Sequence, residues 1–425
     1  MYGLFLELRK KMMTHKTDEI GVGIVGAGLR GCYVLGARAV DLVDECPLRI
    51  QAVCDVVPGR ADESADFLEK AYAKKNCSQQ IQRFDDYKKL CDDPSIDFIW
   101  ITTPTYFHRE PCNYALSLGK KVYLDKPISV TLEDSRKILA AEEEFHNPLI
   151  MGFTRRYERS WREAKDILES GELGALQMMQ LRSVIPYSRY FHLWHRKNER
   201  SGGAFNDKCS HHFDVLNWFA SSKPKRISAL GGRSSIFKED PTAPLRCRDC
   251  ERDECDYNLY KGYELEELKM ESMPSSYFEG SHEEALMDNC VYKPGADILD
   301  HAICSVEYEN GIKASLFFSI FGPKAIDQET LELIGEKGRL ILNRGTGELN
   351  LVSEFGKKQK IIDTRTAEFE TSHFGADLEL MRDMVAFCKG ERPVVSAKEG
   401  HLSLEMIQAA NQSMQNESAP QLLKV

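Results

Sequence analysis

The sequence predicts an α/β protein in two parts: a doubly wound parallel sheet over residues 18–150, then an α+β domain with a large, mainly antiparallel open sheet over 151–425. Three observations carry this. An apolar run, Ile20-Gly-Val-Gly-Ile-Val25, stops at a glycine-rich turn. Strand-like and helix-like segments then alternate up to about residue 150. Beyond it the rhythm changes to alternating apolar and polar residues broken by hairpin turns.

The turn is Gly26-Ala27-Gly28-Leu29-Arg30-Gly31, a G-x-G-x-x-G between a strand and a helix-compatible stretch. Gly26 allows the tight turn, Gly28 lets the backbone approach a pyrophosphate, and Gly31 lets helix and strand pack closely. The helix start offers free N–H groups to the anion. The next strand, RIQAVCD, ends in Asp55, 24 residues past Gly31, where a carboxylate can hold a ribose 2′-hydroxyl. Val56 and Val57 follow rather than a base that would welcome a 2′-phosphate, so NAD is favoured over NADP, with Arg60 the nearest counter-argument. Residues 59–75 read as a helix, DFIWITTP as a buried strand, FHREPCNYALSLGK as a helix closed by Gly119, and KVYLDKP as another buried strand. TLEDSRKILAAEEEFH is a helix capped by Thr131. Ligands of such sheets bind beyond the C-terminal strand ends, where Asp55, Thr102, Thr103 and Lys126 fall.

After PLIMGFTRRY come the helix EAKDILES and the half-exposed strand LQMMQLRSVI. Later segments (RISALGG, AICSVEYENGIKASLFFSIF, QETLELIGEKGRLILNRGTGELNLVS, KQKIIDT) extend an antiparallel meander, with Asn310-Gly311 as a two-residue hairpin signal. Residues 399–416 read as a closing helix.

Composition narrows the function. A net charge of −10 with no basic stripe argues against nucleic acid. No window approaches the ~20 apolar residues of a membrane span. MYGLFLELRKKMM does not read as a secretory signal, and Met12-Met13 suggests an overextended start. Thirteen cysteines without an export signal suggest reduced thiols in a cytoplasm.

Two stretches carry the chemistry. Lys126 follows a buried strand and precedes a proline, so its ammonium projects from the ligand edge, where it can bind a hydroxyl and stabilise a developing alkoxide. In SGGAFNDKCSHHFDVLNWF, Asp207 and His211 are i,i+4 and His211 and Asp214 are i,i+3. A histidine between two carboxylates can be tuned to accept a proton near neutral pH. His212 points elsewhere and reads as structural. Oxidising an alcohol with NAD requires such a base, a cation for the oxygen, and a cofactor for the hydride.

Together GAGLRG, the strand ending TTPTYFH, the DKP variant of an E-K-P motif and GG-x3-D-x3-HH-x-D resemble the Gfo/Idh/MocA oxidoreductases over nearly the whole chain. The resemblance implies a Rossmann domain, a C-terminal α/β domain whose open sheet forms a dimer or tetramer interface, and tightly held NAD(P). By position it implies Lys126 beside the reacting carbon, Asp207 as substrate-binding aspartate and His211 as general acid/base. Leu29, Arg30, Pro104 and His108 join Gly26, Gly28, Gly31, Asp55, Thr102 and Thr103 as expected cofactor contacts. Asp125 replaces the usual glutamate, one methylene shorter.

For the substrate, IPYSRYFHLWHRKNERSGG offers Tyr187, Arg189, Tyr190, His192, Trp194, His195 and Arg196, with Arg156 and Tyr157 after the sixth strand. Aromatics mixed with polar donors suit a sugar ring. The alternative is an ordered loop of which one or two residues touch substrate. Cys247-x2-Cys250-x4-Cys255 and Cys290, in an insert over 240–296, match a tetrahedral structural zinc site, with free thiols or a labile disulfide as the alternatives. The function expected is NAD-dependent oxidation of a secondary hydroxyl of a sugar, cyclitol or glycoside. Its rivals are a glycoside-cleaving enzyme that oxidises its sugar transiently and regenerates NAD, and a non-catalytic NAD-sensing regulator.

Overall fold

A computed structural model describes residues 19–252, 254–260, 276 and 286–423. The proposed leader and start site, and residues 253, 261–275 and 277–285 of the insert, lie outside the described residues.

The first sheet holds six strands in the order β3-β2-β1-β4-β5-β6. They are β1 (Ile20–Val25), β2 (Leu48–Cys54), β3 (Gln82–Phe84), β4 (Phe98–Ile101), β5 (Lys121–Leu124) and β6 (Ile150–Met151). All pairings are parallel. β4 and β5 are apolar and almost wholly buried because helices cover both faces. Strand order reverses between β1 and β4, which opens a crevice above their C-terminal ends. The principal crossover helices are α1 (Arg60–Lys74), α2 (Arg109–Ser117) and α3 (Leu132–Phe145), the last capped by Thr131 accepting from Asp134 N–H. The helix after the glycine turn begins with wide, π-type winding over Leu29–Gly36 before Ala37–Asp41 tightens to α.

The second sheet has nine strands in the order β14-β13-β12-β11-β7-β10-β9-β8-β15. Helix α4 (Arg159–Glu169) leads to β7 (Leu176–Val184), and the long helix α5 (Gly203–Ala220) precedes β8 (Pro224–Gly232). Then follow β9 (His301–Tyr308), β10 (Lys313–Ser319), β11 (Glu329–Gly335), β12 (Arg339–Asn343), β13 (Glu348–Ser353) and β14 (Lys358–Asp363). Helices α6 (Ala376–Cys388) and α7 (Ala397–Gln415) and the edge strand β15 (Gln421–Leu422) complete the fold. Every pairing is antiparallel except β10 with β7. The β9–β10 hairpin forms, but not through a two-residue turn: Tyr308 N–H bonds Ile312 O at 2.9 Å, leaving a three-residue loop with Gly311 at φ 90°.

One face of this sheet is covered by α5 and α7, whose Phe205, Phe213, Leu216, Met406 and Ile407 are buried with strand residues. The sequence reading leaves the region of α6 without an element. Its Leu380, Met381, Met384 and Phe387 are buried against the core of the first sheet. The chain therefore returns to its N-terminal half and carries the preceding loop, 364–375, over the crevice.

Candidate active site

The crevice above β1, β4 and β5 is a cleft of ≈ 380 Å³. At one end lies the glycine loop. Gly26 sits at φ 94°, and a Cβ there would come within 2.6 Å of the Thr103 nitrogen. A Cβ on Gly31 would meet the Thr102 hydroxyl at 2.4 Å, so both positions require glycine for the close approach of loop and strand β4. No side chain caps the helix start at Gly28, which leaves its N–H groups for an anion. Asp55 extends from β2 beside it, one carboxylate oxygen accepting from Ala27 N–H at 3.0 Å and the other from Val57 N–H at 2.9 Å. This cradle of bare backbone donors with a fixed carboxylate fits the pyrophosphate and ribose of a dinucleotide. Leu29, Arg30, Thr102, Thr103, Pro104 and Arg60 complete its walls.

At the other end stand Lys126, Asp207 and His211, the first from the end of β5 and the others from α5. Lys126 Nζ donates to Asp207 Oδ1 at 2.9 Å and to the Asp207 carbonyl at 3.1 Å. Tyr190 donates to the second carboxylate oxygen at 2.6 Å, and His195 Nε2 lies 3.9 Å from the first. Burial works to raise the Asp207 carboxyl, but Lys126 first, then His195 and Tyr190, hold it well below the usual carboxylate range. His195 stacks on Trp194 with ring centroids 3.8 Å apart, and burial lowers it to about 4. Arg189 and Met287 also face the cleft.

His211 departs from expectation in one respect: neither helical carboxylate holds it. Asp207 is taken by Lys126 and Tyr190, while Asp214 receives a two-pronged bond from Arg156, at 2.7 and 3.0 Å. His211 Nδ1 is buried without a partner. Burial, followed by the nearby positive charges of Arg155, Lys126 and Lys208, pushes the imidazole well below its ordinary value. It is therefore neutral by desolvation and cationic surroundings, not by a carboxylate.

Several expected contacts lie outside the cleft wall. His108 braces two strand ends, its ring nitrogens 2.9 Å from the Pro127 and Thr103 carbonyls. Arg156 is committed to Asp214, and Tyr157 donates to Asp383 at 2.5 Å. Tyr187 lies under Arg189, and His192 is fully buried, its Nδ1 2.6 Å from Asn289 O. Arg196 Nη2 bonds the Lys293 carbonyl. Of the 185–203 segment, the structure brings Arg189, Tyr190, Leu193, Trp194 and His195 to the cleft.

The zinc expectation finds no support among the described residues. Among the described residues no group of three or more His, Cys, Asp or Glu is assembled to hold a metal ion, and Cys247, Cys250, Cys255 and Cys290 are free thiols. Cys247 turns its sulfur toward His192 Nδ1 at 3.8 Å, and burial pushes its thiol up to about 12. The lobe is tied instead through buried Asp288, which pairs with Arg246 and Arg248 and accepts from Tyr260.

Sequence reading missed Gly152, Thr154 and His373. Gly152, after β6, leaves room for Asp125 and Tyr123: a Cβ there would lie 2.5 Å from the Tyr123 hydroxyl. His373 comes from the loop before α6, nearly 250 residues after Lys126.

Comparison with known proteins places both halves. Residues 20–153 match a family described as "Oxidoreductase family, NAD-binding Rossmann fold", and residues 165–422 its "C-terminal alpha/beta domain", both of the GFO_IDH_MocA group. The chain is similar to the uncharacterized oxidoreductase YrbE of Bacillus subtilis, 30% identical over 51% of this chain and 58% of the relative. It is 26% identical to inositol 2-dehydrogenase of Salmonella typhimurium over 52% of this chain and 60% of that protein. The chain thus spans less than two thirds of the length of the curated relatives it matches. In fold it resembles levoglucosan dehydrogenase in complex with NADH and levoglucosan (TM-score 0.73, 16% identity, 96% of this chain and 100% of that one). An NAD binding oxidoreductase from Klebsiella pneumoniae gives the same TM-score, 0.73, at 16% identity over 96% of this chain and all of its own.

Proposed function

The chain belongs to the Gfo/Idh/MocA family of NAD-binding oxidoreductases, and we propose that it oxidises a secondary hydroxyl of a sugar, cyclitol or glycoside with NAD. The observation that supports this reading is the convergence of Lys126, Asp207 and neutral His211 at one end of a cleft whose other end is a dinucleotide cradle. NAD, when bound, supplies the acceptor for the hydride. Gly26, Gly28 and the bare helix start would hold its phosphates and Asp55 its adenosine ribose. Asp55 with both oxygens fixed favours NAD over NADP.

The protein side of the reaction follows from the geometry. Asp207 orients the substrate hydroxyl, with Tyr190 fixing its free oxygen. Lys126 keeps an ammonium beside that hydroxyl and stabilises the alkoxide as the proton leaves. Since His211 Nδ1 is closed off, Nε2 is the nitrogen left to take the proton. Trp194 with His195 forms the ledge against which a sugar's CH face packs. Because burial and neighbouring cations depress His211, its neutral form persists as pH falls past 6.5. The acid limb of a kcat/KM profile should accordingly lie below that pH, and an acid limb above it would exclude His211 as the base.

The test is NADH formation while the protein meets sugars, inositols and aryl glycosides, with NAD and NADP compared. Accumulating NADH that disappears in His211→Asn supports the dehydrogenase, about 10²–10⁴-fold being the usual worth of such a base. Aglycone released without net NADH would replace it by glycoside cleavage. Binding of NAD with no turnover, and no effect of His211→Asn on biological activity, would favour a regulator.

We also propose that the chain forms homo-oligomers through the open face of the second sheet. Leu230, Ile303 and Phe317 are direct cross-strand neighbours on β8, β9 and β10, and are 63%, 47% and 42% exposed. Met178 and Ile334, also paired and exposed, add a second apolar pair on β7 and β11, four residues along β7 from Arg182, which is the partner of Phe317. Light scattering should give a dimer or tetramer that Phe317→Glu shifts toward monomer; a monomeric wild-type protein would exclude this. Among the described residues no helix is long and apolar enough to cross a membrane.

A further inference from the structure

We infer that His373 is an additional cofactor-binding residue, whose Nε2 accepts a hydrogen bond from a hydroxyl of the nicotinamide-side ribose. This rests on the reading of the cleft as an NAD site. His373 reaches the cleft from the C-terminal half of the chain, on the loop that leads into α6. Its Nδ1 lies 2.9 Å from Asp377 Oδ2, and the other oxygen of that carboxylate accepts from Arg30 at 3.1 Å. A carboxylate facing a guanidinium accepts, so Nδ1 carries the ring proton and Nε2 presents a lone pair. The side chain is 34% exposed, and Nε2 has no hydrogen-bond partner among the described residues. Burial, opposed by Asp377, leaves the ring below its ordinary value, in keeping with a neutral acceptor.

The position of the ring selects the ligand group. Arg30 belongs to the phosphate-binding turn, yet its guanidinium also reaches the Tyr123 hydroxyl at 3.3 Å and Asp125 at 3.5 Å, at the end of β5. His373 therefore stands over the span between the pyrophosphate cradle and Lys126. In a dinucleotide laid along this crevice, that span is occupied by the second ribose. The substrate end, marked by Trp194, His195, Asp207 and His211, lies beyond Lys126. Arg30 brings donors to this span and His373 Nε2 brings an acceptor, to which a ribose hydroxyl can donate.

The backbone supports a functional rather than a merely connecting loop. His373 and Phe374 both sit in the left-handed region, at φ 52°, where aromatic residues are rarely found. Phe374 is pinned by Phe369, with centroids 4.9 Å apart, and by Arg344 over its ring at 4.4 Å. The strained pair is thus held from outside the cleft while the imidazole is presented inside it.

The experiment measures dissociation constants of NADH, ADP-ribose and ADP for the full chain, NADH by its fluorescence and the others by competition. His373→Gly fits the backbone without the ring, and His373→Phe keeps the ring volume without the acceptor. Both should weaken NADH and ADP-ribose about fivefold, the usual worth of one neutral hydrogen bond, and leave ADP unchanged. Unchanged NADH affinity in both variants would overturn the proposal, as would an equal loss for ADP, which marks a structural role. A wild-type protein that binds none of the three would overturn the NAD reading itself.

Discussion

Lys126→Met should lower kcat/KM for the oxidised polyol by about 10³-fold while NADH affinity stays within a few-fold. Methionine keeps the length and apolar stem but removes the cation, so the loss isolates charge from packing. The size follows from the role: a preorganised donor at a developing oxyanion, in a site that excludes water, is worth two to three orders of magnitude. The substitution also has a structural signature. Lys126 is the strongest of the groups that depress Asp207 against its burial. A carboxyl depressed on folding adds stability above the ordinary carboxylate range and loses it as pH falls toward its folded value. Removing Lys126 lifts the folded value, so at neutral pH the variant should melt earlier than wild type, by a margin that narrows in acid. Steady-state kinetics together with melting at two pH values checks both. Unchanged turnover with lowered stability would reduce Lys126 to a brace for α5.

The same pair shows what a sequence can carry. G-x-G-x-x-G, the acidic strand end, Lys126 after a buried strand and the Asp207–His211 spacing are local patterns, and the residues they mark do line the cleft. They do not fix which partner a side chain chooses. Asp214 stands one turn from His211 as spacing requires, but Arg156, brought in from the loop after β6, offers two charge-assisted bonds and takes the carboxylate. His192 and Arg196 sit among cleft residues in sequence, yet both turn toward the lobe carrying residues 289–294. C-x-x-C spacing gives two sulfurs one knuckle, but convergence with Cys290 depends on the path of a long insert. His373 is invisible for the same reason: the stretch Ser372-His-Phe-Gly-Ala-Asp377 marks a helix start, and only the return of α6 to the first sheet brings it to the cofactor cleft.

Glu329→Gln should destabilise the second domain by about 3–5 kcal/mol, the range for removing one partner of a buried ionic cluster. Glu329 is 4% exposed and is surrounded by cations. Arg155 donates to both its oxygens at 2.7 and 2.9 Å, Arg344 at 2.9 Å and Lys208 at 3.4 Å, with His212 at 3.3 Å. Glu158, fully buried, answers Arg344 and Arg155 but reaches neither Lys208 nor His212. Burial works to raise the Glu329 carboxyl, and Arg155, Lys208 and Arg344 hold it far below its ordinary 4.5. Its contribution is therefore complete at neutral pH and is lost only as pH falls through that depressed value. Denaturant unfolding at pH 7 and again in acid should show the difference between variant and wild type shrinking only in acid. The cluster also bears on catalysis. Lys208 and His212 lie next to Asp207 and His211 on α5, so Glu329 grips the rear of the helix whose front faces the cleft. Loosening that grip should lower kcat through misplacement of the base, with a smaller effect on NADH affinity, because the glycine loop and Asp55 belong to the first sheet. A variant equally stable and equally active would mean that packing by Phe205, Phe213 and Leu216 alone sets the position of α5.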